Sequence, residues 1–462
     1  MRIDAWRALA CAALALASGC AAVGPNYRGP TDSTVLQKPS AEGGFVSTSE
    51  AVAADQPVPP DWWRLYQEPE LDALVKSALD ENTRLRVAMA NLARSRAALQ
   101  EVEAAHVPST TIGAGASYQR LPGETGAGGI GYDVGVGASY LVDLFGQLRR
   151  GIEAARADIE ATGAALDVAR VAVAADTARA YVSTCGVGHE LAVARRLLDY
   201  QQESLERTRR LVEAGRSSPV DLPRTLAQVE QLRANIPPLE ARQRVELFRL
   251  AVLTGKPPAE FPRRLEACVV VPQLGSPLPT GDGAALLRRR PDIRQAERLL
   301  AAATARIGVA TADLYPSVNI GLSAGFSAGT FRWSLGPLIS WTFPNTRAAR
   351  ARIAGASAEA DAALARFDET VLTALLETER ALTTYAKDLD RHAALVAARD
   401  QAAEAARQVE ILFRNGRESF LPVLDAERTL ANNEAAVAAS QTRLANDQID
   451  LFLALGGGWE QP

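Results

Sequence analysis

The sequence is poor in the residues on which metal and redox chemistry depend. Its 462 residues include only three histidines and four cysteines, and neither a CxxC nor an HExxH pattern occurs. The usual zinc and thioredoxin-like signatures are therefore absent, and we expect no metal and no diffusible cofactor. The formal net charge of −4 provides no basic field that would hold a polyanion, so we expect no nucleic acid partner.

Apolar runs long enough for a membrane-spanning helix are also missing. The apolar run in residues 1–19 extends only from Ala8 to Ala17, after Arg2 and Arg7, and ends in small residues before Cys20. This pattern predicts an export signal rather than a span of about 20 residues. Because the small-residue site ends in cysteine, it resembles a bacterial lipoprotein signal, in which Cys20 carries a covalent lipid as the first mature residue.

Two long stretches lack proline and are dense in strong helix formers. They lie between Gly146 and Pro219 and between Pro344 and Pro422, and apolar residues recur at every seventh position in each. This spacing predicts two coiled-coil helices of roughly 65 residues, about 100 Å long. Near the middle of the first helix, Gly186 and Gly188 predict a kink or a side contact.

The ends of the two predicted helices repeat each other. LVEAGRSSPVDL from Leu211 and LFRNGRESFLPVL from Leu412 superpose with Gly215 on Gly416, an offset of 201 residues. Each glycine is expected to end its helix in the left-handed conformation, so that the next helix folds back antiparallel. The chain is thus a tandem duplication. We assign residues 20–60 to a proline-rich extended tether, 61–260 to the first repeat, 261–286 to a connection and 287–462 to the second repeat.

Each repeat contains two short runs in which apolar residues alternate with glycine and serine. The runs predict strands at about 109–119, 130–142, 317–327 and 331–341. Their length and period are those of transmembrane barrel strands, although half-buried strands of a soluble sheet show the same alternation. Four strands cannot close a membrane barrel, because unpaired edges in lipid are prohibitive, so a barrel requires several chains.

Two patterns resemble enzyme motifs without the structural context that those motifs need. A GxGxxG pattern runs from Gly126 to Gly131, but an alternating strand follows it where a nucleotide site requires a helix. A GxSxG pattern is centred on Ser323, which lies inside an alternating run rather than on a sharp strand-to-helix turn. We therefore predict that the protein is not an enzyme.

Five blocks of sequence carry a family resemblance. They are GCAAVGPNY from Gly19, WWRLYQEPELDALV from Trp62, LRRRPDIRQAERLLAAATARIGVATADLYPSV from Leu287, FLPVLDAERTL from Phe420 and ALGGGW from Ala454. Together they resemble the outer-membrane factors of tripartite efflux systems, the TolC-like channels, and specifically the lipoprotein branch typified by OprM and NodT. The resemblance implies a homotrimer with a mainly α fold, in which a 12-stranded outer-membrane β-barrel, four strands per chain, continues into a long α-helical barrel.

The resemblance also implies a function. It is that of a passive exit duct for small molecules such as drugs, which works with a periplasmic adaptor protein and an inner-membrane pump and is anchored in outer-membrane lipid through Cys20. A type I protein secretion conduit would share this architecture, and a structural periplasmic coiled-coil lipoprotein would share the helices alone. The lipoprotein signal and the RRPDI block favour the small-molecule branch.

The start of the last helix is the candidate site. Asp425 and Arg428 share one helix face, with Leu421 a turn earlier. Without the family resemblance, these residues indicate a solvent-exposed helix start with an acidic side chain in its first turns. The resemblance implies a periplasmic gate in which Leu421 forms an apolar ring and Asp425 an acidic ring, with Arg428 pairing to carboxylates. At the offset of 201, Arg224 occurs in the first repeat and is an alternative partner for Asp425.

Cys185 and Cys268 lie in the mature chain outside these motifs. In an oxidising compartment two such thiols either pair as a disulfide or remain as buried apolar side chains. Because Cys185 falls in the middle of the first long helix and Cys268 in the proline-rich connection, a disulfide requires the connection to pack on that helix.

Overall fold

A computed structural model describes residues 22–47, 52–53, 56–119, 129–274, 277–327 and 330–457. The predicted signal, its Cys20, and the first part of the GxGxxG pattern lie outside the described residues. Two compact units are present. One comprises residues 22–37, Met89–Ala165 and Asp292–Thr370, and the other comprises Lys38–Ala88, Leu166–Pro291 and residues 371–457.

The first unit contains a four-stranded antiparallel sheet. Its strands are β1 (Ser109–Gln119), β2 (Gly129–Val142), β3 (Ser317–Ser327) and β4 (Thr330–Ser340), paired in the order β1-β2-β3-β4. Each strand is thus hydrogen-bonded to the next one along the chain, including β2 to β3, which belong to different repeats. The two outer strands each have one edge that no other strand of the described chain covers.

The register of the sheet places apolar side chains on one face. Val134 of β2 lies opposite Ala114 and Phe326, and Phe326 lies opposite Phe331, with ring centroids 5.2 Å apart. The other face carries mainly glycine, serine and threonine, together with Asp133 and Arg332. Apart from Leu141 and Leu338, which lie on the other face, the large apolar side chains alternate along the strands. The apolar face is therefore continuous, and within a single chain it is exposed to solvent.

Helices make up most of the remaining structure. They are α1 (Pro69–Glu81), α2 (Thr83–Ala104), α3 (Gln147–Glu213), α4 (Asp221–Ala234), α5 (Ile236–Leu253), α6 (Gly283–Arg289), α7 (Pro291–Ala312), α8 (Arg347–Arg414) and α9 (Phe420–Ala454). α3 and α8 contain 67 and 68 residues, as the proline-free stretches predict. Among the helices of the described ranges, none combines the length and hydropathy that a membrane span requires.

Helix continuity differs between the α1–α2 region and α3. α1 ends and α2 begins at Asn82, whose side chain accepts a hydrogen bond from the Arg84 backbone N–H at 2.9 Å and donates one to the Leu253 carbonyl at 2.8 Å. Asn82 therefore caps α2 and ties it to α5. At Gly186 and Gly188, in contrast, α3 runs on without a break in helical structure.

The largest apolar core lies in the second unit. The Trp62 side chain is fully buried and stacks on Phe452 of α9 with ring centroids 4.7 Å apart. Leu71 and Val75 of α1 and Ile449 of α9 complete the same cluster. Heptad leucines of α3 and α8 contribute to the buried layer between the helices, with Leu205 and Leu382 buried.

Candidate functional site

The two long helices end in the same backbone geometry. Gly215 has φ 65° and Gly416 has φ 68°, the left-handed region that only glycine adopts without strain. The Arg216 N–H donates to the Leu211 carbonyl at 2.8 Å, and the Arg417 N–H donates to the Leu412 carbonyl at 2.9 Å. These bonds form a Schellman end in both repeats, and α4 and α9 begin within a few residues of it.

Phe420 and Val423 anchor the first turns of α9 on their buried side. The Phe420 ring lies 5.7 Å from the Phe413 ring of α8, measured between centroids. Leu421 points away from this side and is 51% exposed in the single chain. The exposed half of the Leu421 side chain is accessible for contact in an assembly.

Asp425 lies one turn after Leu421 on the exposed side. Its carboxylate pairs with the Arg428 guanidinium, and both side chains are more than half exposed. At this exposure the ion pair contributes little to stability, because water screens it. The arrangement therefore presents an apolar side chain and an ion pair on one accessible helix face.

The corresponding face of α4 in the first repeat differs in charge. Val220 is as exposed as Leu421, and the Arg224 guanidinium lies 3.6 Å from the Asp221 carboxylate. Asp221 is buried and accepts hydrogen bonds from the Ser217 hydroxyl at 2.8 Å and from the Ser218 N–H at 3.2 Å. Within the chain, Arg224 thus pairs with Asp221, whereas Asp425 pairs with Arg428.

Glu427, on the buried side of the same turns of α9, was not identified from the sequence. It is 7% exposed, and the Ser204 hydroxyl of α3 donates to its Oε2 atom at 3.1 Å. Burial raises the pKa of the Glu427 carboxyl above its usual range. The signal that identifies it is register: Glu427 follows the buried Phe420 and Val423 at the helical spacing of seven and four residues.

A disulfide joins Cys185 of α3 to Cys268, with a Cα–Cα distance of 4.8 Å. Of the two alternatives for these thiols, a disulfide and two buried apolar side chains, the structure contains the disulfide. The segment around Cys268 lies so close to α3 that a Cβ atom added to Gly188 would be 2.0 Å from the Cys268 carbonyl oxygen. Gly186 has the same role towards Thr442 of α9, so these glycines make the side contacts that were one of the two expectations for them.

Three sequence blocks meet at the C-terminal end of α9. From the RRPDI block, Arg289 Nε donates to the Leu455 carbonyl at 2.8 Å, and Arg290 Nη1 donates to the Ala454 carbonyl at 2.7 Å. Trp62 of the WWRLYQEP block packs against Gly457 and Phe452. The described part of the ALGGGW block is thus held by the two other blocks.

The segment from Val23 to Asn26 is held at the start of α3 in the first unit. The Val23 N–H donates to the Phe145 carbonyl at 3.1 Å, and Arg150 Nε donates to the Val23 carbonyl at 3.0 Å. Arg150 Nη2 also donates to the Asn26 side chain at 2.6 Å. The buried Arg150 therefore fixes this segment beside the end of β2.

The serine of the GxSxG pattern is not positioned as a nucleophile. Ser323 lies within β3, and its hydroxyl is hydrogen-bonded to the Ser334 hydroxyl of β4 at 2.9 Å. Within the described residues, no group of three or more His, Cys, Asp or Glu side chains is placed to hold a metal ion.

Long heptad helices joined to a sheet with one apolar, outward-accessible face define an outer-membrane protein of the channel type. The family model for outer membrane efflux proteins matches residues 74–256 and 284–457. The chain belongs to the outer membrane efflux protein family. This family consists of efflux channels and is not an enzyme class.

Individual relatives agree with this assignment along nearly the whole chain. Nodulation protein T of Rhizobium leguminosarum bv. viciae is 32% identical over 98% of this chain and 94% of that protein. The antibiotic efflux pump outer membrane protein ArpC of Pseudomonas putida is 30% identical over 96% of this chain and 93% of that protein. The solved outer-membrane channel OprN has a TM-score of 0.88 at 36% identity, covering 95% of this chain and 100% of that chain. The predicted fold class, the efflux function and the outer-membrane location are confirmed.

Proposed function

We propose that three copies of this chain form an outer-membrane duct through which small organic molecules leave the cell envelope. The observation that carries this proposal is the open sheet, whose apolar face is exposed and whose edge strands, β1 and β4, each have one edge that no described strand covers. In lipid, unpaired backbone groups cost several kcal/mol each. Pairing β1 of one copy with β4 of the next removes both edges and closes a barrel of twelve strands.

The proposed partners are a periplasmic adaptor protein and an inner-membrane pump. The name of ArpC describes that relative as the outer membrane protein of an antibiotic efflux pump. A duct without an energy source of its own requires such a pump to drive export. The exposed helix ends at Gly215 and Gly416 are the surfaces that we assign to adaptor contact.

The proposed membrane anchor is a covalent lipid on Cys20. Val23, three residues later, is bound at the start of α3 beside the end of β2. A lipid at this position stabilises the membrane-inserted protein without contributing to the closure of the barrel.

The proposed periplasmic gate consists of Leu421, Asp425 and Arg428. These side chains share the exposed face at the start of α9, where the long helix α8 turns back at Gly416. Threefold symmetry would bring three leucines and three carboxylates around one axis. Three carboxylates around one axis repel one another and persist only with cationic partners. Arg428 supplies one in each chain, and an Arg224 of a neighbouring hairpin is the alternative partner that we propose.

Expression in an efflux-deficient bacterium tests the proposed function. We expect the chain, with its adaptor and pump, to lower the accumulation of a fluorescent small organic compound while leaving a type I secreted polypeptide inside the cell. Export of the polypeptide without efflux of the compound would establish a secretion conduit instead. Recovery as a water-soluble rod would establish a structural lipoprotein.

A matched pair of variants connects this function to the sheet. Leu335 lies on the apolar face of β4, and the adjacent Ser334 lies on the opposite face. We expect Leu335→Arg to reduce the yield of membrane-embedded trimer, because a charge facing lipid costs about 2–4 kcal/mol at the bilayer centre. Ser334→Arg should be tolerated. Equal yields from the two variants would show that this face does not contact lipid.

A further inference from the structure

Glu427 occupies a position in α9 that is otherwise apolar. Its buried neighbours along the helix are Val423, one turn before, and Ala431, one turn after. In the first repeat the residue at the offset of 201 is Leu226, which is 46% exposed, so the two repeats differ in both charge and burial at this position. A carboxyl buried in an apolar register costs free energy unless it is hydrogen-bonded or protonated.

α3 and α8 provide the polar surroundings of this carboxyl. From α3, the Ser204 hydroxyl donates to Glu427 at 3.1 Å, and Gln201 beside it is almost completely buried. The cation of α3 that acts on Glu427 is Arg207, but its Nη1 atom donates to the Glu410 carboxylate of α8 at 3.1 Å. Arg207 is therefore shared between two carboxyl groups, one on each neighbouring helix.

The remaining ionisable groups near Glu427 do not compensate for its charge. Glu410 also pairs with Arg414 at 2.5 Å, and Tyr200 of α3 has a pKa raised by burial and by the carboxyl of Glu427. Leu232 of α4 and Ala431 of α9, which lies one turn after Glu427, belong to one buried apolar cluster. Burial is the main cause that raises the pKa of Glu427, and the negative charge of Glu410 acts in the same direction. The hydrogen bonds with Ser204 and Gln201 and the charge of Arg207 lower this pKa but do not outweigh burial.

We propose that Glu427 positions the first turns of α9 against α3 and that loss of its proton releases them. A protonated carboxyl is neutral and remains buried beside Ser204, whereas an ionised carboxylate requires water or an arginine that Glu410 already occupies. Leu421 and Asp425 lie on the exposed side of the same turns and therefore move with them. The inference deepens the proposed function, because it assigns the control of the gate to a residue behind it.

The sign of the pH dependence follows from the burial. The packed state of α9 holds the Glu427 proton more tightly than a state in which the carboxyl reaches water. Acidic solution therefore favours the packed, closed state, and rising pH favours release. A shift of one pKa unit corresponds to an approximately tenfold change in the ratio of the two states.

Single-channel recording of the assembled trimer in planar bilayers tests this proposal. Across a series of pH values, we expect the open probability of the wild type to rise as the Glu427 carboxyl ionises, by a factor of about ten for each unit by which burial raises its pKa. Glu427→Gln, which keeps a neutral hydrogen-bonding group, should stay closed and lose this dependence, and Glu427→Leu, the residue type of the first repeat, should do the same. If either variant assembles and retains the pH response of the wild type, the proposal is wrong.

Glu434→Gln is the matched control. Glu434 lies seven residues later on α9 and also faces α3, where its carboxylate is 3.8 Å from the exposed Arg196 guanidinium. Because Arg196 and the solvent already compensate this charge, the variant should keep the pH response of the wild type. A Glu434→Gln trimer without pH response would assign the effect to the α3–α9 contact in general and overturn the role of Glu427.

Hydrogen exchange over residues 420–431, normalised to intrinsic rates, separates this inference from the proposed gate. Faster exchange at higher pH in the wild type, and its loss in Glu427→Gln, supports positioning by Glu427 even if Asp425 variants leave conductance unchanged and so refute the gate. Exchange that responds to pH equally in wild type and Glu427→Gln contradicts the inference, whatever the conductance.

Discussion

Arg290 closes the C-terminal end of α9 by donating a 2.7 Å hydrogen bond from Nη1 to the carbonyl oxygen of Ala454, 164 residues away in the sequence. Arg289 does the same for Leu455 with two bonds, from Nε at 2.8 Å and from Nη2 at 2.6 Å. The last carbonyls of a helix lack intrahelical partners and carry partial negative charge. The two adjacent guanidinium groups supply hydrogen-bond donors and positive charge to these carbonyls. This contact explains why the RRPDI and ALGGGW blocks occur together.

The first prediction concerns this helix end. Arg290→Gln should destabilise the protein by about 2 kcal/mol, because it removes charge-assisted hydrogen bonds from a buried position. Arg290 also donates to Glu377 at 2.7 Å, so the Ala454 carbonyl and the Glu377 carboxylate both lose a charged donor. Arg288→Gln, at an exposed position in the same block, is the control and should change stability by less than about 0.5 kcal/mol. Thermal unfolding of the purified protein in detergent distinguishes the two, and equal midpoints would contradict the prediction.

The second prediction concerns the close approach at Gly188. Gly188→Ala should lower stability by about 1–3 kcal/mol, because the new methyl group would overlap the Cys268 carbonyl oxygen and the backbone must shift. Gly163→Ala lies in the same helix with open space around it and should instead raise stability by up to about 1 kcal/mol. The measurement is the unfolding midpoint of each variant. A Gly188→Ala protein as stable as Gly163→Ala would show that the connection is not held against α3.

The third prediction concerns the disulfide. Replacing Cys185 and Cys268 by serine should cost about 2–4 kcal/mol, since the bond closes a long loop in the unfolded chain. The two residues are 83 positions apart. Mass spectrometry without reductant should show the wild-type protein two hydrogens lighter than its reduced form. An unchanged unfolding midpoint after complete reduction would mean that the packing around Gly188 holds the connection without the bond.

The fourth prediction concerns the proposed gate. Asp425→Ala should raise single-channel conductance in planar bilayers and admit large antibiotics such as vancomycin, because loss of the carboxylate removes the partner of Arg428. Glu418→Ala, an exposed acid in the same turn region, should leave conductance unchanged. If a correctly assembled Asp425→Ala trimer conducts like the wild type, the constriction lies elsewhere, and Leu421→Ala is the next variant to record.

The fifth prediction concerns the anchor. Cys20→Ala should abolish lipid attachment while trimers still form, because neither strand pairing nor helix packing involves the acyl chain. Metabolic labelling with a radioactive fatty acid measures attachment, and native electrophoresis measures assembly. Cys11→Ala, within the predicted signal, serves as the control and should retain the label. Label on the Cys20→Ala protein would disprove the assignment.

Local patterns were sufficient to predict the elements of the fold. The heptad spacing of α3 and α8, the alternation in β1 to β4 and the glycines at the helix ends each depend on residues within a few positions of one another. Gly215 and Gly416 are an example, because a left-handed helix end requires a glycine whatever the rest of the chain does. The sequence also predicted the face that carries Leu421 and Asp425, since helical periodicity alone places them together.

Only the tertiary structure decided which distant residues meet. The contact of Asn82 depends on a carbonyl of α5, and the roles of Gly186 and Gly188 depend on the close approach of Thr442 and Cys268 to α3. The burial of Glu427 likewise depends on Ser204, 223 residues away. Sequence periodicity specifies the direction of a side chain on its own helix, whereas burial, hydrogen-bond partners and pKa depend on the neighbouring helix, which only the folded chain brings into place.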